Sequence, residues 1–121
     1  MLELEAIQKG IAAHGAWKTR LRNAIASGKF DTPIATVRAD NQCEFGKWLY
    51  DLDATDKQSQ HFSTVKQLHA RFHEEAANVV TLATSGQTGK AEQVMGPSGS
   101  YAQASAELTQ AMVSWRTHVS S

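Results

Sequence analysis

One cysteine among 121 residues cannot close a disulfide within the chain, so Cys43 has to be a packed thiol, a reactive thiol or a metal ligand. Net charge is missing as well, because 12 Lys and Arg cancel 12 Asp and Glu. A balanced chain lacks the electrostatic footprint of a dedicated nucleic-acid or anionic-membrane binder, and neither partner is expected. No uninterrupted apolar run approaches the roughly 20 residues that cross a bilayer. Met1 to Gly10 also lacks the basic start and apolar stretch of a signal peptide. A cytoplasmic location, where thiols stay reduced, is the expectation. Sustained two-residue alternation, internal repeats and low-complexity tracts are absent too, which argues against strands, solenoids and disordered linkers. A hydrophobic share of 41% with 20% charged residues is ordinary for a folded protein, so a single domain over 1–121 is expected.

The periodicity that is present is helical. Leu4, Ile7, Ile11, Leu21 and Ile25 recur at steps of three and four, with His14 and Lys18 in the gaps and Gly28 as a stop. Phe30 to Asn41 carries Pro33 and no clear period, which predicts a connector with a helical turn at Ile34 to Arg38. Asn41-Gln-Cys-Glu44 has the spacing of a reciprocal capping pair, so a short helix is predicted over Gln42 to about Leu52, capped by Asp40 or Asn41. After a polar break at Asp53 to Asp56, a long helix is predicted from about Lys57 to Thr84. Its apolar side is Phe62, Val65, Leu68, Phe72, Ala76, Val79 and Val80. A minor helical piece at Lys90 to Met95 and a final helix marked by Tyr101, Ala104, Leu108, Met112, Trp115 and Val119 complete an all-α reading. The expected fold is a bundle of three long helices plus a short helix carrying the cysteine and minor helical pieces.

The sharpest chemical signal is His69-Ala-Arg-Phe-His73, since a helix puts residues four apart on one face and lets both imidazoles reach one cation. Taken alone, such a pair is more often a surface or satisfied core pair. His14, however, interrupts the apolar stripe of the first helix, where an imidazole needs hydrogen bonds or a metal. Cys43 sits one residue inside a predicted helix start, where backbone amides and the helix dipole favour a thiolate. Three histidines and a thiolate make a closed tetrahedral set for Zn2+. Four filled positions leave none for a catalytic water, and no His-Glu-x-x-His helix or Glu-x-x-His pair occurs, so the chain is not expected to be an enzyme or a two-metal carboxylate protein.

His14-Gly-Ala-Trp17-Lys18, Cys43-Glu-Phe45-Gly46-Lys-Trp48-Leu49, His69-Ala-Arg-Phe72-His73 and, less specifically, Tyr101-Ala-Gln-Ala-Ser105 with Leu108 follow in the order of a known pattern. On these residues the chain resembles the chemoreceptor zinc-binding domain, found at the ends of bacterial cytoplasmic chemoreceptors and beside diguanylate cyclases. The resemblance implies a homodimer with one zinc per protomer, held by His14, Cys43, His69 and His73, and a regulatory role in chemotaxis or cyclic-di-GMP control. The partner would be an effector domain of a larger chemoreceptor or cyclase. It also implies that Cys43 is the redox-reactive point, meeting oxidants such as hypochlorous acid, or that site occupancy reports zinc itself. The competing reading is a metal-free helical dimerisation module in which these residues only pack.

Trp17, Trp48 and Trp115 are expected to fill the core, and Lys18 to extend along the bundle toward solvent. A carboxylate among Asp31, Asp40, Asp51 and Glu44 could orient a ligand imidazole, none being preferred. His61 and His118 lack partners at ligand spacing and are expected to be exposed titrating residues.

Overall fold

A computed structural model describes residues 3–120, so Met1, Leu2 and Ser121, the outer ends of the expected domain, lie outside the described residues. Helix α1 (Leu4–Ser27) buries Ile7, Gly10, His14, Leu21 and Ala24, one face of a regular helix. Leu4, Ile11 and Ile25 of the predicted stripe are only half-buried, so the inward line runs closer to His14 than the apolar residues alone suggest. Gly28 ends the helix in the left-handed region, at φ 72°, and its N–H donates to Ala24 O at 2.8 Å.

The expected helical turn is helix α2 (Ile34–Arg38), which Pro33 starts and Val37 anchors in the core. The predicted short helix is α3 (Glu44–Tyr50), two residues shorter at each end than expected. Its cap is neither Asp40 nor Asn41. Cys43 itself is the N-cap, in an extended conformation, with its sulfur accepting from the Gly46 N–H at 3.3 Å. The side chain that satisfies the first free amides is thus the one whose chemistry matters most, a role sequence spacing had assigned to its neighbours.

A 3-10 turn at Asp56–Gln58 precedes α4 (Gln60–Thr84), whose true cap is Ser59: its Oγ accepts from Phe62 N–H at 3.0 Å. The predicted start at Lys57 falls in that turn. Helix α5 (Thr88–Met95) and helix α6 (Ser100–Ser120) follow. Among the described residues every regular element is helical, and α1, α4 and α6 are the three long helices of the expected bundle.

Helix α4 is the hub. It packs against α6, α2, α1 and α5, and Phe62, Val65, Phe72, Ala76, Val79, Val80 and Ala83 are all buried along it. From α6, Trp115 enters the same core fully buried, edge-on to Phe62 and tilted against Trp48. Each large side chain of this kind contributes about 1.5–3 kcal/mol by leaving water, which is what holds α1, α4 and α6 in register around the histidines. Trp17 and Trp48 are only half-buried. Trp17 stacks on Phe30 at 6.0 Å and carries the Arg20 guanidinium 4.1 Å over its ring.

Candidate metal centre

Three elements meet where α1 crosses α4 beside the start of α3. His14 comes from the inner face of α1, His69 and His73 from successive turns of α4, and Cys43 from the cap of α3. All three histidines are buried, at 4%, 0% and 2% exposure, while Cys43 is half-buried. Their ligand atoms lie within 4.8 Å of one another, and this is the group of metal-ligating side chains that the described residues bring together.

Spacing inside the cluster suits a tetrahedral ion. His69 Nε2 and His73 Nε2 are 3.1 Å apart, and Cys43 Sγ lies 3.3 Å from the first and 3.5 Å from the second. A tetrahedron with ordinary Zn–N and Zn–S bonds has N–N edges of about 3.3 Å and N–S edges of about 3.6 Å. His14 Nε2 stands back from the other three and has no hydrogen-bond partner, a buried lone pair aimed at nothing the chain supplies.

Tautomers sharpen the point. His14 Nδ1 is 2.7 Å from Gly10 O, and His73 Nδ1 is 2.9 Å from Val37 O. A carbonyl only accepts, so both Nδ1 atoms must carry the proton and both Nε2 atoms present lone pairs to the centre. Burial reinforces this by disfavouring the imidazolium. It takes His14 down to about 4 and His69 down to about 2, with the neighbouring imidazoles pushing the same way. His73 is also lowered by burial, against the pull of its Val37 bond and of Asp40. Lone pairs converging from His14 and His73 repel one another unless a proton of His69 or of the Cys43 thiol, or a cation, lies between them. The donor set therefore fits a zinc ion, and of the candidate arrangements it fits the closed, four-coordinate kind.

The sulfur behaves differently from the expectation of a thiolate favoured by the helix start. Burial raises the Cys43 pKa, and the amides of Gly46 and Phe45 offset that only in part, with the Asp40 carboxylate adding to the rise. The local helix start is too short and too buried to ionise the thiol unaided; a divalent cation would do so outright.

The groups that orient the ligands are backbone carbonyls, not the carboxylates weighed from sequence. Gly10 lies one turn before His14, so its bond was readable from helical spacing. Val37 lies 36 residues from His73 and reaches it only because α2 packs on α4, which no local pattern encodes. Asp40 instead accepts from Tyr50 Oη at 2.9 Å, tying the turn before α3 to its last residue. Gly46 is required here for space: a Cβ at this position would overlap Asp40 O. Phe45 and Phe72 wall the cluster edge-on, with ring centroids 5.7 and 5.0 Å from His14. His61 and His118 lie outside it, their rings stacked 4.7 Å apart between α4 and α6, a pairing their sequence separation hides.

Two surface clefts reach Cys43, one between α1 and α3 lined by Gly10, Trp17, Phe45 and Trp48, the other on the far side of Trp17 lined by Thr36, Gln42 and His73. The sulfur is thus reachable from both clefts; His14 lines the first and His73 the second, while His69 lines neither. No helix among the described residues is long and apolar enough to cross a membrane.

Comparison with known proteins gives one family. The model of the chemoreceptor zinc-binding domain matches residues 14–80, a span that begins at His14 and takes in Cys43, His69 and His73. No curated protein and no solved structure matches the chain.

Proposed function

The chain belongs to the chemoreceptor zinc-binding domain family, and from that membership we propose that it is a regulatory zinc module of bacterial signalling, with His14, Cys43, His69 and His73 as its ligands. The observation that carries the reading is the buried convergence of three imidazole nitrogens and one sulfur, with His69, His73 and Cys43 already near tetrahedral spacing. Bound there, zinc would hold Cys43 as thiolate and fill its four positions with protein atoms, leaving none for a substrate water. A role in sensing rather than turnover follows.

The redox part of the proposal rests on the exposure of Cys43 to both clefts and on its double duty as ligand and helix cap. Hypochlorous acid entering a cleft is attacked at chlorine by the thiolate sulfur. The Cl–O bond breaks and hydroxide leaves. Water then displaces chloride from the sulfenyl chloride to give sulfenic acid, releasing a proton, so that sulfur has lost two electrons and chlorine has gained them. The same sulfur can no longer serve as the compact acceptor for Gly46 N–H. Oxidation therefore loosens the start of α3, a seven-residue helix, and that movement is the signal passed to an effector domain, in a homodimer that couples two such sites.

Elemental analysis of protein purified without added metal tests the zinc reading. About one zinc per chain, falling sharply in Cys43→Ala and unchanged in His61→Ala and His118→Ala, is expected. Absence of zinc from the wild type would favour the metal-free packing module instead. For the redox part, sub-stoichiometric hypochlorous acid should give a trappable sulfenic acid at Cys43 and change Trp48 fluorescence. Oxidation confined to the methionines would leave zinc occupancy as the signal.

A further inference from the structure

The three histidines of the cluster are not held alike. His14 and His73 each donate Nδ1–H to a carbonyl, at 2.7 and 2.9 Å. His69 does not: its Nδ1 is buried with no hydrogen-bond partner, and the residue is 0% exposed. Gly10 O, four residues before His14, serves His14; the equivalent carbonyl four residues before His69 does not serve His69. The ring is instead enclosed by apolar and aromatic edges, Phe45 at 5.3 Å and the two other imidazoles at 4.8 and 4.6 Å.

We infer that His69 is the weakest-held ligand of the set, because it is the one imidazole whose outer nitrogen has no anchor. The inference rests on the reading of the four residues as zinc ligands. A ligating imidazole is neutral, so when Nε2 binds the ion Nδ1 keeps its proton. For His14 and His73 that proton already has an acceptor, which fixes the ring and makes Nε2 more basic. For His69 it is an unpaired donor in the core, a standing cost present in the loaded state. His14 stands further from the centre, yet its ring is pinned by Gly10 O of the same helix, a bond that moves with α1. Distance can be closed by a small movement of packed helices, whereas a missing acceptor cannot. The order of strength is therefore His73 and His14 above His69.

Two measurements decide it. Zinc affinity and release rate are read by competition with a chromophoric chelator for His14→Ala, His69→Ala and His73→Ala, each checked for helical content. Anchored ligands are commonly worth about 10–100-fold in affinity over unanchored ones, so His69→Ala should lose that much less than His73→Ala. Equal or greater loss in His69→Ala overturns the inference. If none of the three loses zinc, the ligand reading itself has failed and takes the inference with it. The second measurement needs no variant: in the zinc-loaded wild type, ring-nitrogen NMR should show hydrogen-bonded, slowly exchanging Nδ1–H signals for His14 and His73 and an unbonded one for His69. A downfield, slowly exchanging His69 Nδ1–H overturns the inference as well.

Discussion

A neutral imidazole in a protein core has two ring nitrogens to place, and His14, His69 and His73 each turn one toward a common centre. In the metal-free chain this arrangement leaves a mark on the pH dependence of stability. Folded His14 stays neutral to about pH 4 and His69 to about pH 2, while an unfolded imidazole titrates near its ordinary value of 6.5. As pH falls, the unfolded chain takes up protons first. Stability is fully present above the unfolded value and is lost below it, His14's share down to about pH 4 and His69's to about pH 2. Each contributes on the order of 1 kcal/mol per pH unit within its window. Urea midpoints of the metal-free protein should therefore fall between pH 7 and pH 5, and a flat midpoint would show that the histidines are not buried as described. At this scale the sequence was informative: the i, i+4 pair and a histidine in an apolar stripe were visible, and so was the lone cysteine. What could not be read was Val37 O, since a backbone carbonyl has no signature in the sequence and its reach to His73 exists only in the packed bundle.

Among the elements, α3 depends most on a single side chain. Cys43 Sγ is both a donor in the cluster and the cap for Gly46 N–H, and substitution separates the two duties. Ser is a good N-cap but a poor soft-metal ligand, so Cys43→Ser should keep the stability of the metal-free protein and lose most zinc affinity. Cys43→Ala should lose the cap too, at about 1 kcal/mol in the metal-free protein. Chemical denaturation with chelator present, beside zinc competition, measures both; equal metal-free stability of the two variants would remove the capping role. Helix cores were legible wherever apolar residues kept a 3.6 period, as in α1, α4 and α6, and even the turn at Ile34–Arg38 was placed correctly. Ends were less so. The Asn41 to Glu44 spacing imitates a capping pair, but the turn at Asp40 bends the chain so that Cys43 takes the cap, and Ser59 was passed over because Asp56 to Gln58 continue as a 3-10 turn.

For the molecule as a whole, the cluster joins α1, α3 and α4 at a place where the apolar core is interrupted by polar atoms. An ion that binds only the folded chain stabilises it by mass action, roughly 4 kcal/mol at a thousandfold excess over Kd. The melting temperature should accordingly rise by roughly 10 °C or more between a strong chelator and added zinc. Identical melting in the two conditions would mean that the folded chain does not hold the metal. The bundle was legible because its three long helices each carry an amphipathic period, whereas the way α2 and α3 lean on α4 emerges only from tertiary packing.

The most direct measurement is X-ray absorption at the zinc edge of the loaded protein, which reads the atoms bound to the ion without reference to activity. Three imidazole nitrogens at about 2.0–2.1 Å and one sulfur at about 2.3 Å are expected, with the sulfur shell vanishing in Cys43→Ser. A shell of oxygen donors, or a wild-type spectrum with no sulfur, would contradict the assignment of His14, Cys43, His69 and His73 as the metal centre.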